Sequence, residues 1–242
     1  MAHFQIETFL KAVARKVNFD VVIPTLNLQG CLSNKDDNYY SNLDAKYPLA
    51  IFLHGFGDNE KGWQNNSQII KLCEENKVAA VFVNGENKWY LNMGPIDDFY
   101  NLIERDLLDF LYGNFKCLDR DMPLAVCGVS MGGYGALYHY LTNSSKYYCA
   151  VSLSPATKPD YMDEKYSLKN VALAHKGEKL NVYLSVGEED FIINASKDLD
   201  KYFADNQIDI SYRYVSGNHS WTTWNNEVFK VFEYFKEIKF IK

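Results

Sequence analysis

Short, uninterrupted apolar runs recur along the chain from residue 49 onward. They contain too few polar residues to be strands with one face in water, which favours a parallel sheet buried on both faces. The predicted strands of this sheet are Leu49–Leu53, Val78–Val83, Leu124–Val129, Cys149–Leu153 and Val182–Val186.

Stretches of helical length, each with one apolar face, lie between and after these runs. Strands that alternate with helices are typical of a doubly wound α/β fold, in which helices cover both faces of the sheet. The predicted helices are Gln64–Glu75, Ile96–Tyr112, Gly132–Leu141, Ala195–Asp205 and Trp221–Lys236.

Two segments depart from this alternation. Near the N-terminus, "FQIETFL" and "VNFDVVIP" predict extended segments that pair as an antiparallel hairpin, and the polar, turn-rich stretch Leu26–Pro48 follows them. Ser154–Leu180, with two prolines and mixed charge, predicts a short cap-like excursion over the end of the sheet. No linker interrupts the chain, so residues 1–242 are expected to form a single domain.

The composition and the charge pattern argue against nucleic acid and membrane as partners. The chain has 25 basic and 31 acidic side chains, a net charge of -6, and no basic cluster interleaved with aromatic residues, so nucleic acid is not an expected partner. The N-terminus lacks the apolar core of a signal peptide and no window is long enough to span a membrane, which predicts a soluble, cytoplasmic protein without membrane contact. The sequence leaves open whether the protein forms a homo-oligomer.

The stretch Gly128-Val129-Ser130-Met131-Gly132 follows a predicted strand and opens a predicted helix. In this setting the pattern G-x-S-x-G is typical of a nucleophile elbow, a sharp turn that lifts the serine hydroxyl above the sheet. Ligands of open α/β sheets bind at the carboxyl ends of the strands, where this serine lies. Ser130 is therefore predicted to be a catalytic nucleophile.

A serine nucleophile needs a base and an acid that orients the base. His219 follows the run "ISYRYVSGN" and precedes a helix, which puts it on a loop at the same end of the sheet. Glu188, Glu189 and Asp190 all follow one predicted strand, and their spacing alone does not choose among them, although alternation along an extended stretch points Glu189 away from its neighbours. The order Ser130, Asp190, His219 is the one expected of α/β-hydrolases.

Acyl transfer also needs two backbone donors for the oxyanion on the substrate carbonyl. The N–H of Met131, at the positive end of the elbow helix, is one candidate. The loop "LHGFGDNEKGW" after the first core strand offers the other, because its glycines let the backbone turn and expose the N–H of Phe56. His54, the last residue before that turn, is expected to fix the loop by hydrogen bonding rather than to act as a second base.

With these residues assembled, the chain resembles the esterase D-like family of serine esterases, which includes tributyrin esterases, S-formylglutathione hydrolases, feruloyl esterases and mycolyltransferases. The resemblance runs from about Val17 to the last helix and is closest to the bacterial tributyrin esterase branch. It implies the α/β-hydrolase fold with an N-terminal antiparallel hairpin. It also implies Ser130 as nucleophile, His219 as base, Asp190 as its partner through the Asp-Phe pair, and the N–H groups of Phe56 and Met131 as oxyanion hole. The motifs that carry it are "FLHGFGDNEKGW", "VCGVSMGGYGA", "GEEDF" and "GNHSWTTW".

The predicted function is a serine carboxylesterase that hydrolyses small or short-chain acyl esters through an acyl-serine intermediate, without metal or organic cofactor. The chain lacks the H-G-L-T-C-like loop associated with S-formylglutathione hydrolases, which disfavours a glutathione thioester. Trp89, Tyr90 and Trp221 are candidate residues of the substrate pocket. Two alternatives stay open: an acyltransferase of the mycolyltransferase kind, and a non-catalytic binding protein on a hydrolase fold.

Overall fold

A computed structural model describes residues 1–25, 31–32, 45–159 and 161–242. Most of the predicted turn-rich stretch Leu26–Pro48 lies outside the described residues. No helix in the described part of the chain is long and apolar enough to cross a membrane. The strands are β1 (Ala2–Leu10), β2 (Arg15–Ile23), β3 (Leu49–Leu53), β4 (Ala79–Val83), β5 (Leu124–Val129), β6 (Cys149–Leu153), β7 (Val182–Gly187) and β8 (Arg213–Val215).

The described strands form one eight-stranded sheet in the order β1-β2-β4-β3-β5-β6-β7-β8. The predicted N-terminal hairpin is confirmed, since β1 pairs with β2 in antiparallel register and β2 continues antiparallel to β4. All pairings from β4 to β8 are parallel. The carboxyl ends of β3, β5, β6 and β7 therefore lie at one edge of the sheet, where a ligand is expected in this class of fold.

Helices cover both faces of the sheet, as the unbroken apolar runs predict. Every residue of β3 is buried, and alternate residues point into two different cores: Ile51 and Leu53 pack with the helices on one face, Ala50 and Phe52 with those on the other. The first face carries α3 (residues 99–114), α4 (Met131–Thr142), α5 (Leu168–Ala172) and α6 (Ile193–Asp205). The second carries α1 (Gly62–Asn66), α2 (Ile69–Glu75) and α7 (Trp221–Glu237).

Two predicted helices differ from the structure. The helix predicted over Gln64–Glu75 is broken into α1 and α2, because the Ser67 hydroxyl donates to the Trp63 carbonyl at 2.6 Å and accepts from the Ile69 N–H at 3.3 Å. These side-chain bonds compete with the helical ladder at that point. The helix predicted over Ile96–Tyr112 begins at Phe99 instead, where the Asp98 side chain caps it by accepting from the Asn101 N–H.

Helix α3 is also irregular in its middle. Its first residues, Phe99–Asn101, are α-helical, Leu102–Leu107 follow in π-helical geometry, and Leu108–Asn114 complete the helix in α-helical geometry. A π-helical turn inserts a residue into the ladder and rotates the side chains that follow. Within this turn Glu104 is buried against the core and faces α4.

Candidate active site

Ser130 occupies a strained turn between β5 and α4. Its backbone angles are φ 54° and ψ -118°, a region that costs a residue with a side chain about 1–3 kcal/mol. Surrounding backbone bonds hold it there: the Ser130 N–H donates to the Leu153 carbonyl at 2.9 Å, and its carbonyl accepts from the N–H groups of Tyr134 and Ala156 at 2.9 and 3.0 Å. The turn leaves the Ser130 side chain partly exposed at the carboxyl edge of the sheet.

The predicted glycines of the elbow are needed for close backbone packing. A Cβ placed on Gly128 would lie 2.0 Å from the carbonyl oxygen of Gly132. A Cβ on Gly132 would lie 2.2 Å from the carbonyl oxygen of Leu53 in β3. Both neighbours are backbone atoms of the central sheet and its helix, so they cannot move aside as a flexible side chain can.

We expect Gly132→Ala to lower the free energy of unfolding by about 1–3 kcal/mol, the usual cost of forcing extra atoms into a packed core. The matched control is Gly113→Ala in α3, where an added Cβ meets no atom within 4 Å. There alanine is expected to stabilise the helix by about 0.5–1 kcal/mol. Urea unfolding of both variants measures the difference, and equal midpoints would contradict the close packing at Gly132.

The structure brings Ser130, His219 and Asp190 together in one hydrogen-bonded line. The Nε2 atom of His219 lies 2.9 Å from the Ser130 Oγ. Its Nδ1 atom lies 3.0 and 2.9 Å from the two carboxylate oxygens of Asp190. The carboxylate can only accept, so Nδ1 carries the hydrogen and Nε2 is free to accept the serine proton. This is the tautomer that general base catalysis requires.

The structure also distinguishes the three adjacent acids after β7. Asp190 is 2% exposed, and its Oδ1 accepts from the Ile192 N–H at 3.0 Å. This hydrogen bond holds the carboxylate in place beside His219. Glu188 and Glu189 have exposed side chains. Their backbone N–H groups donate to the carbonyls of the β8 segment that leads to His219, which joins the acid-bearing and histidine-bearing loops.

Aromatic rings enclose the imidazole of His219. The Phe191 ring lies over it with 4.5 Å between centroids, and the Trp224 ring meets it edge-on at 5.0 Å. The buried Trp224 indole donates to the hydroxyl of Ser154, the residue directly after β6, at 3.1 Å, and this bond fixes the position of the ring. Phe191 is a contact that sequence reasoning missed, although its place directly after Asp190 was a signal for it.

None of the other histidines lies within hydrogen-bonding distance of Ser130 in the described part of the structure. Each is bonded elsewhere: His3 to Asp20, His54 to the backbone of Gly55 and Gly85, His139 to Glu104 and Tyr90, and His175 to Glu178 and Leu141. Among the described histidines, His219 is thus the one whose ring contacts Ser130, and its role as the base stays a prediction.

The two candidate oxyanion donors lie on either side of Ser130. Met131 is the first residue of α4, so its N–H has no partner inside the helix. Phe56 lies in the turn after β3, and a Cβ on the preceding Gly55 would lie 3.3 Å from the Ser130 Cβ. Neither N–H has an acceptor among the described residues. Both remain available to a substrate oxygen.

The three candidate pocket residues have different environments. The prediction that Tyr90 lines the substrate pocket is wrong. Tyr90 is fully buried in the core and its hydroxyl donates to the His54 carbonyl at 3.0 Å, so it offers no surface to a substrate. Trp89 is partly buried and meets Tyr134 edge-on at 5.5 Å. Trp221 is partly buried and touches Trp63 and Trp224. A pocket role for Trp89 and Trp221 stays a prediction.

A second polar cluster lies in the core, away from Ser130. Glu104 accepts hydrogen bonds from His139 and, at 2.6 Å each, from Lys146 and Tyr147. Burial alone would raise the pKa of Glu104, but these donors and the charge of His139 hold it below its ordinary value.

Across the described residues no group of three or more histidine, cysteine, aspartate or glutamate side chains is arranged to bind a metal ion.

Comparison with known proteins decides the family. The family model described as "Putative esterase" matches residues 37–235. The chain belongs to this esterase family. It is thus an enzyme, a serine hydrolase that acts on ester bonds. An acetyl esterase from Caldicellulosiruptor saccharolyticus is 22% identical to it over 271 residues, covering 98% of this chain and 99% of that protein.

Solved structures share the fold of this family member. The S-formylglutathione hydrolase FrmB from Staphylococcus aureus has a TM-score of 0.79 at 19% identity, covering 96% of this chain and 95% of that one. The fluorophosphonate-binding serine hydrolase FphF, also from Staphylococcus aureus, has a TM-score of 0.78 at 19% identity, covering 96% and 97%. These likenesses establish the α/β-hydrolase fold that the resemblance implied. Membership of the tributyrin esterase branch stays a prediction.

Proposed function

We propose that the chain is a carboxylesterase that hydrolyses small or short-chain acyl esters through an acyl-serine intermediate. The observation that carries this proposal is the line of hydrogen bonds from the Ser130 Oγ through His219 to the buried carboxylate of Asp190. A serine hydroxyl is a weak nucleophile by itself and becomes effective when an oriented base accepts its proton.

In the proposed reaction the Ser130 Oγ attacks the carbonyl carbon of the ester while its proton passes to Nε2 of His219. Asp190 stabilises the imidazolium that forms. Collapse of the tetrahedral intermediate breaks the bond to the alcohol, which leaves with the proton from His219. Water then attacks the acyl-serine with His219 again as base, and it releases the carboxylic acid and restores Ser130.

The negative charge of the tetrahedral intermediate is proposed to fall on an oxygen between the N–H groups of Phe56 and Met131. Two features support this role. Both donors lack an acceptor within the described residues, and Met131 begins α4, whose N-terminal dipole favours an anion. Preorganised donors of this kind are often the largest single contribution to catalysis of acyl transfer.

The preference for small acyl groups is inferred from the exposure of the residues around Ser130. Phe56 on one side is 65% exposed and Phe191 on the other is 78% exposed. Among the described residues of the excursion after β6, the one α-helix is the short segment Leu168–Ala172, which lies between two single 3-10 turns. A long acyl chain gains free energy only where apolar surface buries its methylenes, at about 0.8 kcal/mol for each buried one.

We expect p-nitrophenyl acetate and butyrate to be hydrolysed with higher kcat/KM than the decanoate and palmitate. Each added methylene increases kcat/KM only if a pocket receives it. The measurement is initial release of p-nitrophenol across the acyl series below the solubility limit of each ester. A maximum at long acyl chains would contradict the open cleft, although not the nucleophilic role of Ser130.

The same assay separates hydrolysis from acyl transfer. Adding an alcohol such as glycerol and analysing the products shows where the acyl group goes, because a transferase forms the new ester while a hydrolase forms the free acid. Free acid as the dominant product supports the proposed carboxylesterase. Near-complete transfer to the added alcohol would favour the acyltransferase alternative.

A further inference from the structure

The loop that carries Phe56 is tied to its neighbour in the sheet. We call residues 54–58, after β3, the oxyanion loop, and residues 84–91, after β4, the support loop. The Gly85 N–H donates to His54 Nε2 at 2.8 Å, the Tyr90 hydroxyl donates to the His54 carbonyl at 3.0 Å, and the Gly57 N–H donates to the Asn87 side-chain oxygen at 2.6 Å. These three bonds fix the oxyanion loop on both sides of Phe56.

The bonds of His54 define its tautomer. A backbone N–H can only donate, so the bond from Gly85 makes Nε2 an acceptor and leaves the ring hydrogen on Nδ1. Nδ1 then donates to the Gly55 carbonyl at 2.7 Å. The side chain is 1% exposed, and this burial lowers the pKa of His54 below its ordinary value, which keeps the ring neutral. Both ring nitrogens are thereby occupied.

The Gly55 carbonyl and the Phe56 N–H belong to the same peptide group. A trans peptide is planar, so its carbonyl and N–H point in opposite directions and turn together. A bond that fixes the direction of the Gly55 oxygen therefore fixes the direction of the Phe56 hydrogen. Gly55 itself packs close to Ser130, so small rotations of this peptide move the donor relative to the reacting carbon.

We propose that His54 is a positioning residue of the esterase: by holding the Gly55 carbonyl through Nδ1–H, it points the Phe56 N–H at the oxyanion of the tetrahedral intermediate. This inference rests on the proposed function, since it assumes acyl transfer at Ser130. His54 acts through the peptide and touches neither the substrate nor Ser130. Its role differs from that of His219, whose Nε2 must be free to take a proton.

The support loop is itself firmly held. Four of its residues with side chains have positive φ: Glu86, Asn87, Trp89 and Tyr90. Such backbone strain persists only where the surroundings enforce it. The Tyr90 carbonyl accepts from Nε2 of His139 at 2.9 Å, and burial raises the pKa of the Tyr90 hydroxyl well above its ordinary value, so it remains a donor to His54. The groups of the support loop that bond to His54, the Gly85 N–H and the Tyr90 hydroxyl, are therefore themselves held in place by the protein core.

Two substitutions of His54 test separately the hydrogen bonds made by its two ring nitrogens. In His54→Asn the side-chain nitrogen can occupy the Nδ1 position and still donate to the Gly55 carbonyl. In His54→Gln the longer side chain can reach the Nε2 position and accept from Gly85, but the Gly55 carbonyl loses its 2.7 Å bond from the ring and keeps only the longer bond from the Asp58 N–H, at 3.3 Å. We expect kcat to fall about 100-fold in His54→Gln, the effect of losing one oxyanion donor, with KM changed less than threefold. His54→Asn is expected to stay within about tenfold of the wild type.

A trifluoromethyl ketone provides a second readout, because its adduct with a serine carries an oxyanion at the same place. Its inhibition constant is expected to rise in His54→Gln by about the same factor as kcat/KM falls. Thermal unfolding of both variants measures their folding separately. If His54→Gln retains wild-type kcat, or if both variants lose kcat equally at equal melting temperature, the inference is wrong.

The unsubstituted protein gives a test that does not depend on the folding of a variant. Long-range proton–nitrogen NMR of histidine-labelled enzyme reports the tautomer of each ring, and His54 is expected to be neutral with its hydrogen on Nδ1. An Nε2–H tautomer or a charged ring at neutral pH overturns the inference. Failure of the proposed function gives a different result, namely a Ser130→Ala variant that still hydrolyses esters.

Discussion

Replacing Ser130 with alanine is expected to lower kcat for p-nitrophenyl acetate by about three to six orders of magnitude. The residues of a triad act as a unit, so removing the nucleophile leaves only binding and oxyanion stabilisation. Alanine keeps the Cβ and the three backbone bonds that hold the elbow, so the variant is expected to fold. Steady-state kinetics, together with circular dichroism and thermal unfolding, measures both quantities.

The matched control for this experiment is Ser216→Ala. Ser216 is exposed on the loop that leads to His219 and makes no side-chain hydrogen bond within the described structure. Its kcat is expected to stay within threefold of the wild type. Wild-type activity in a correctly folded Ser130→Ala variant would remove Ser130 from the mechanism and the proposed function with it.

A fluorophosphonate gives an independent check on the same residue. Its phosphorus is attacked by an activated serine, fluoride leaves, and a covalent phosphonyl-serine remains. Peptide mass spectrometry is expected to place the adduct on Ser130 in the wild type and to find none in Ser130→Ala. An adduct on another serine in the wild type would identify a different nucleophile.

The sheet could be predicted because the pattern of its strands is independent of distant residues. Runs such as Leu49–Leu53 and Cys149–Leu153 are apolar at every position, and the structure buries them at every position. The elbow could be predicted for a similar reason. Its glycines are required locally, since Gly128 and Gly132 lie against backbone atoms that leave no room for a Cβ.

The environment of Tyr90 could not be predicted in this way. Trp89 and Tyr90 are adjacent aromatic residues after the same strand, and both have positive φ. The structure exposes part of Trp89 and buries Tyr90 completely, because the Tyr90 hydroxyl finds the His54 carbonyl inside the core. That partner is 36 residues away in the sequence. No local pattern of hydrophobic and polar residues contains this pairing.

The π-helical turn in α3 is another feature beyond the sequence pattern. An interpretation based on 3.6 residues per turn assigns one continuous face to residues 96–112, whereas the inserted residue rotates the face near Glu104. In this orientation the Glu104 carboxylate accepts hydrogen bonds from His139, Lys146 and Tyr147, all at least 35 residues away in the sequence. Buried polar pairs across such separations become visible only in the folded chain.

Which of the three acids after β7 contacts His219 could be predicted only in part from the sequence. Spacing leaves all three acids open, and alternation disfavours Glu189 alone. The structure shows which carboxylate contacts His219: Asp190 is buried against the imidazole, while Glu188 and Glu189 are exposed. The loop turns after Glu188, since the Asp190 N–H donates back to the Gly187 carbonyl at 3.1 Å. Alternation along an extended strand does not continue through such a turn, so it could not have decided the matter.

Asp190→Asn is expected to lower kcat by about four orders of magnitude, and the hydrogen bonds around Asp190 give the reason. The Ile192 N–H donates to Oδ1 of Asp190 at 3.0 Å, which selects the amide oxygen for that position in the variant. The amide nitrogen then occupies the position of Oδ2, 2.9 Å from Nδ1 of His219. It donates to Nδ1, so the ring hydrogen moves to Nε2 and His219 can no longer accept the proton of Ser130.

The controls are Glu188→Gln and Glu189→Gln, which remove solvated charges beside the same strand and are expected to keep kcat within threefold of the wild type. All three variants are assayed at saturating p-nitrophenyl acetate after their folding has been checked by thermal unfolding. Because the amide of Asp190→Asn fills the same volume as the carboxylate, a loss of kcat without a loss of fold isolates the tautomer of His219 as its cause. A nearly active Asp190→Asn beside a Glu188→Gln defect as deep as that of Ser130→Ala would assign the role of His219's partner to Glu188.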